Sequence, residues 1–276
     1  MKIRIVVDSS ADLQTDESKN IVSVPLKIRT DNKEYVDDAN LDVKAMTEDL
    51  AAYKGKSGSS CPGVGEWLEA FGDADRIFCI TITSNLSGSY NSAMVAKETY
   101  ESEHEGRKVC VIDSLSAGPE LKLIKEKIEE LLVEGKEFEE ICKAVAKYQK
   151  TTYLTFMLKS LTNLANNGRV SHAVAKIAGV LGIHVVGIAS SVGTLEQKGK
   201  SRGEKKALIS VWNQMKELGY KGGKVRIDHC FNLPAVQALV DMIRSEYRNA
   251  DIVVGTTHGL CSFYAEEGGI LIGLES

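Results

Sequence analysis

Hydroxyl and carboxylate side chains gather wherever a short apolar run of this sequence ends. Asp8-Ser9-Ser10 follows the run from Ile3 to Val7, Thr81 to Ser89 closes the run from Arg76 to Ile82, and Asp113-Ser114-Leu115-Ser116 follows the run from Lys108 to Ile112. Runs of this kind read as buried strands, and open α/β sheets take ligands at the edge where parallel strands end. The segment Thr83 to Tyr90 leads into a helix, so unpaired backbone N–H groups and serine hydroxyls there suit an anion, a carboxylate or a phosphate. Helix capping by Ser84 or Ser87 is the other use of the same residues, and the two uses can coexist. A second hydroxyl pair, Ser59-Ser60, precedes Cys61-Pro62-Gly63 and a helix beginning near Val64, which Pro62 is suited to start.

Other chemistry is less well supplied. Asp8, Asp12 and Asp113 have no companion ligand set, so no metal is predicted and an Asx-turn or cap is the expected role. A serine hydrolase needs a G-x-S-x-G elbow, but Ser87 sits in Asn85-Leu86-Ser87-Gly88-Ser89, and the histidine spacing identifies no base. His104 reads as solvated, and His172, His184 and His229 are ambiguous. His258 follows a strand in Gly255-Thr256-Thr257-His258-Gly259, where a loop can bring it to a ligand or leave it structural. In Asn166-Asn167-Gly168-Arg169-Val170-Ser171 a helix ends, Arg169 stands exposed at a corner, and Ser171 caps the next helix. Lys198, Lys200, Arg202, Lys205 and Lys206, opposed by Glu204, form the densest basic cluster, either a solvated helix start or a dock for an acidic surface or phosphate. No G-x-x-x-x-G-K-[ST] or strand-linked G-x-G-x-x-G is present, which disfavours a nucleotide-binding module.

The elements that must position these groups are legible. A chain of 276 residues that is 43% hydrophobic can bury a large core and favours two domains. The net charge of −4 and the lack of a basic tail argue against nucleic acid. The first eight residues reach charge too soon for a signal peptide, and the longest apolar stretch, Ile177 to Val192, is short and interrupted by His184, so no membrane span is expected. Six scattered cysteines without a C-x-x-C pair fit a reduced cytosol. Strands alternating with helices at Val43 to Tyr53, Ser87 to Tyr100, Pro119 to Val133 and Phe138 to Gln149 give a Rossmann-like parallel-sheet α/β domain over residues 1–152, with a small hairpin near 26–36 and a Gly/Ser loop from Lys54 to Ser60. Residues 153–276 read as a smaller α+β domain: a strand, helices near Leu158 to Ala165 and Ser171 to Leu181, a strand from Ile183 to Ala189, a turn and a charged helix. Strands Lys224 to Asp228, Asp251 to Gly255 and Ile270 to Leu274 follow, with a helix from Pro234 to Tyr247. The first part carries 20 Lys and Arg against 28 Asp and Glu, the second 14 against 10, so the halves attract or the second faces an acidic partner.

Taken in order, these segments resemble the DegV family of bacterial fatty-acid-binding proteins. The matching motifs are Val7-Asp8-Ser9-Ser10-Ala11-Asp12-Leu13, Ser59-Ser60-Cys61-Pro62, Leu86-Ser87-Gly88-Ser89-Tyr90, Asp113-Ser114, Asn167-Gly168-Arg169-Val170-Ser171 and Lys200-Ser201-Arg202. The resemblance implies a ligand tunnel between the domains for a long-chain fatty acid. Its carboxylate would be held by a hydroxyl of Ser59-Ser60 and by Ser87-Gly88, with His258 nearby and no further cofactor. It also implies that Arg169 and Arg202 face a fatty acid kinase, which phosphorylates the presented acid, the chain itself being no enzyme. The sequence departs from the family at His258-Gly259-Leu260-Cys261-Ser262, which lacks the family's proline and following glycine, and at Ile183-His184-Val185, which lacks its lysine. The competing reading is an enzyme acting on a small acyl or phosphorylated substrate through Ser87, which turnover without an added kinase would reveal.

Overall fold

The computed structural model describes residues 1–178 and 182–276. The first half contains β1 (Ile3–Asp8), β2 (Ile21–Val24), β3 (Lys27–Thr30), β4 (Glu34–Val36), α1 (Val43–Ala52), β5 (Ser57–Ser60), α2 (Val64–Phe71), β6 (Arg76–Thr81), α3 (Ser89–Glu103), β7 (Lys108–Asp113), α4 (Pro119–Val133) and α5 (Phe138–Tyr148). The second contains β8 (Thr152–Leu158), α6 (Thr162–Asn166), α7 (His172–Ala178), β9 (Ile183–Ala189), β10 (Leu195–Arg202), α8 (Glu204–Glu217), β11 (Val225–His229), α9 (Leu233–Glu246), β12 (Ile252–Thr256), α10 (Gly259–Ala265) and β13 (Ile270–Glu275).

Because β1, β6 and β7 are apolar on both faces, they need cover on both sides, and they form a parallel sheet in the order β2-β1-β6-β7. Trp67, Phe71 and Tyr100 of α2 and α3 cover one face, and Leu121, Ile124 and Ile128 of α4 with Ile141 of α5 cover the other. The second half is a six-stranded sheet, β10-β9-β8-β13-β11-β12, antiparallel except between β11 and β12. Strand periodicity divides its faces: Met157 of β8 and Val186 of β9 pack under α8 and α9, whereas Leu154, Phe156 and Leu158 turn toward the first half. A small antiparallel sheet, β4-β3-β5, joins α1 and α10 around Ile28, Tyr35, Met46 and Phe263.

The mixed α/β class with a parallel sheet in the N-terminal region is as the sequence indicates, but several elements differ from expectation. Strand β2 was not anticipated. The supposed Gly/Ser loop ends in β5, because Ser59 and Ser60 pair with Ile28 and Lys27. Helix α3 starts at Ser89 and α2 at Val64 after an N-cap at Gly63, so neither Ser87 nor Pro62 begins a helix. Lys198, Lys200 and Arg202 stand on the exposed side of edge strand β10, not on a helix start, and Lys205 and Lys206 open α8. Charged side chains on such an edge discourage pairing with another chain. The expected helix from Ser171 is seen as α7, and its last three positions, 179–181, lie outside the described residues.

Helix α4 ties the halves together. Its Lys122 Nζ lies 2.6 Å from both carboxylate oxygens of Asp228, and Glu126 takes a bidentate contact from Arg226 at 2.7 and 2.7 Å. Gly118 precedes the helix at φ +63°, with Leu271 of β13 close against it, a place where a side chain would be both strained and crowded. Glu120, 5% exposed, accepts a 2.7 Å bond from the Thr152 hydroxyl, and burial pushes its carboxyl up to about 7. Folding therefore favours the protonated form. The stability this confers is full below the ordinary pKa of about 4.5 and is lost as pH rises through 7, amounting to about 3 kcal/mol. Glu120→Gln is expected to leave stability near pH 5 unchanged and raise it above pH 7, flattening the profile in denaturant titrations. An unchanged pH slope would reject the assignment.

Candidate functional site

Between the halves lies an apolar cavity. Leu26, Ile82 and Leu86 come from strand-end loops of the first half, Leu154, Phe156 and Leu158 from β8, and Leu260, Cys261 and Ala265 from α10. Ser59, Tyr264 and Arg169 on its wall form one linked group, with Ser87 beside it. Ser59 Oγ is 2.7 Å from the Tyr264 hydroxyl, and the Arg169 guanidinium lies 5.5 Å from the centre of the Tyr264 ring. Arg169 Nε donates to the Leu86 carbonyl at 3.2 Å, beside Ser87. Burial pushes the Tyr264 phenol up, which keeps it a neutral hydroxyl. The wall thus offers a long apolar surface and a single corner of hydroxyls and positive charge.

The hydroxyl-rich strand ends hold this corner in place. Asp8, fully buried, accepts bonds from Ser10 Oγ at 2.5 Å, Ser89 Oγ at 2.6 Å and Ile82 N–H at 2.9 Å. Asp113 takes the N–H groups of Ser84 and Leu115, and Ser9 Oγ takes that of Leu26. These carboxylates and hydroxyls are spent on one another and on loop N–H groups, fixing the loop that carries Ser87. Ser87 itself accepts the Ser89 N–H at 3.3 Å, a local turn, while lining the cavity.

The sequence-derived candidates fall in different places. Ser59 and Ser87 line the cavity. Ser60 is next along β5, its hydroxyl buried without a hydrogen-bond partner among the described residues, and Gly88 is the N-cap of α3, close to Cys61. Arg169 is half-buried on Tyr264 with its NH1 on the Asn167 carbonyl, so the exposed corner position expected for it is corrected; Arg202 is exposed. His258 lies outside the cavity wall. Its Nδ1 is 2.6 Å from Asp37 Oδ1, its N–H donates to Asp12 at 2.6 Å, and Asp37 also accepts the N–H groups of Gly259 and Leu260 at 2.6 and 2.8 Å. This clasp docks α10, and with it Tyr264, onto the first half.

Tyr264 and Asp37 were missed by sequence reasoning. The run Leu260 to Ala265, stopped by Glu266-Glu267-Gly268-Gly269, carries the signal of a short apolar helix. Asp37 carries none, because its partners lie 221 to 223 positions away. Among the described residues no group of three or more His, Cys, Asp or Glu is placed to hold a metal ion, and no helix is long and apolar enough to cross a membrane.

Fold and site together define a two-lobed α/β protein with an apolar interlobar cavity that has one polar corner. The chain belongs to the DegV family, whose model, described as an uncharacterised protein family, matches residues 2–275. It is 43% identical over 279 residues to a DegV domain-containing protein of Streptococcus pneumoniae serotype 4, covering 100% of this chain and 99% of that one. Among solved structures it is similar to a DegV family protein of Eubacterium eligens loaded with heptadecanoic acid, at 48% identity and a TM-score of 0.97, covering 99% of each chain. It is also similar to the Streptococcus pneumoniae Fatty Acid Kinase (Fak) B3 protein loaded with linoleic acid, at 43% identity and a TM-score of 0.96, covering 100% of this chain and 99% of that one.

Proposed function

We propose that this chain binds a long-chain fatty acid in the interlobar cavity and presents it to a fatty acid kinase for acyl-phosphate formation, without catalysing a reaction itself. The observation that carries the reading is the linked Ser59, Tyr264 and Arg169, with Ser87 beside them, on an otherwise apolar wall. A carboxylate at that corner takes hydroxyl donors from Ser59 and Ser87, with Ser60 and the start of α3 at Gly88 within the same loop pair, and Arg169 supplies the opposite charge. His258 serves the corner through the Asp37 clasp. Each acyl CH₂ buried against the wall gains roughly 0.8 kcal/mol, so affinity resides in the chain and orientation in the head group. The Eubacterium eligens and Streptococcus pneumoniae structures, with heptadecanoic and linoleic acid, support this ligand class. The acid is the ligand and no cofactor takes part. Six free cysteines fit a reduced cytosol as the place of action.

Delipidated protein titrated with oleic acid tests the reading. Ser87→Ala is expected to weaken binding about tenfold, the worth of one hydrogen bond to a charged group. Arg202→Ala is expected to keep that affinity while lowering acyl-phosphate formation by added kinase and ATP. Unchanged affinity in Ser87→Ala would count against the head-group corner, and phosphorylation of a small acyl substrate without any kinase would favour an enzyme using Ser87.

A further inference from the structure

Phe231 follows β11 with its backbone at φ +52°, a left-handed conformation that an aromatic residue rarely adopts. Phe231 is 49% exposed, and Leu233, two residues on, is 56% exposed. Of the other non-glycine residues at positive φ, Asp12 and Asn20 are of types that tolerate it, Leu115 backs onto Gly193, and Glu266 closes α10 as its C-cap. The loop is fixed by many bonds. Cys230 N–H donates to Gly269 O at 2.9 Å, and Asn232 Nδ2 donates to Glu204 at 2.8 Å and to Gly268 O at 3.0 Å. Strain persists where surrounding structure over-determines it, commonly at functional surfaces.

Topology places this loop at one end of the six-stranded sheet, with Lys159 after β8, Arg202 closing β10, and Lys205 and Lys206 opening α8. All four cations are exposed. Of the acids here, Glu204 is held by Asn232 with Lys159 3.9 Å away, Glu266 accepts the Asn163 N–H, and Glu267 is exposed. We propose that Phe231, with Leu233, is the anchor by which the chain docks on its kinase, a protein surface offering an apolar pocket for the ring and carboxylates around its rim. Aromatic side chains at the centre of an interface carry much of its affinity, and rim charges steer the encounter. A pocket is served by an aromatic side chain on a fixed backbone, as here, whereas a lipid surface requires no particular backbone conformation. The proposal rests on the reading that the chain serves a kinase. Phe231 lies off the cavity wall, so lipid binding and docking are separable.

Phe231→Gly removes the ring and relieves the backbone. Its melting temperature and oleic acid affinity are expected to equal or exceed those of the parent chain. In acyl-phosphate assays with a fatty acid kinase, ATP and oleic-acid-loaded protein, the KM for loaded protein is expected to rise about tenfold with kcat nearly constant, and Phe231→Trp is expected to restore it. Equal KM for parent and Phe231→Gly would overturn the proposal. Equal KM with lost co-sedimentation on phosphatidylglycerol vesicles would assign the loop to a membrane surface instead. A parent chain that takes up no oleic acid would overturn the carrier reading, and this docking role with it.

Discussion

Ala117→Trp is expected to lower the affinity for oleic acid about a thousandfold while leaving the protein folded. Ala117 lines the cavity and packs against the apolar clusters of both halves, so an indole there takes volume from the ligand without exposing apolar surface. Excluding about five CH₂ groups forfeits roughly 4 kcal/mol, which is the thousandfold stated. Fluorescence titration of delipidated protein measures the effect, with circular dichroism as the control for folding. Affinity within a fewfold of the parent would show that the acyl chain runs elsewhere.

Asp37→Ala is expected to cost about 4 kcal/mol of stability and lower the melting temperature by about 10 °C. The substitution leaves the Gly259 and Leu260 N–H groups and the His258 ring without the acceptor they share, at a position 1% exposed. Because the clasp holds α10, lipid retention should fall as well, through displaced Tyr264. Asp37→Asn, which keeps one carbonyl acceptor, should lie between the two. A melting temperature unchanged in Asp37→Ala would mean that the clasp does not join the halves.

What the sequence made legible was local. Continuous apolar runs placed β1, β6 and β7, the 3.6-residue period placed α1 and α4, and the hydroxyl runs at strand ends pointed to the loop that carries Ser87. Strands β2, β5 and β10 escaped because they are short, Gly/Ser-rich or charged, and they exist only through pairing with β1, β3 and β9. The site was half legible for the same reason. Ser59 and Ser87 sit in recognisable local motifs, but Tyr264 reaches Ser59 across 205 positions and Arg169 reaches Leu86 across 83. Several of the hydroxyls that drew notice are structural, because Asp8 takes those of Ser10 and Ser89 while Ser9 and Ser114 bond to the backbone, and no local pattern distinguishes such a hydroxyl from one facing a ligand. His258, singled out for its loop, is hydrogen-bonded to Asp37, a residue with no local signal.

The central claim is tested most directly by native mass spectrometry of the protein as purified from its expression host, followed by denaturation and identification of what is released. One long-chain fatty acid per chain, replaced by oleic acid on exchange and lost in Ala117→Trp, is the predicted result. A chain that carries no lipid and takes up none when oleic acid is offered would contradict the account.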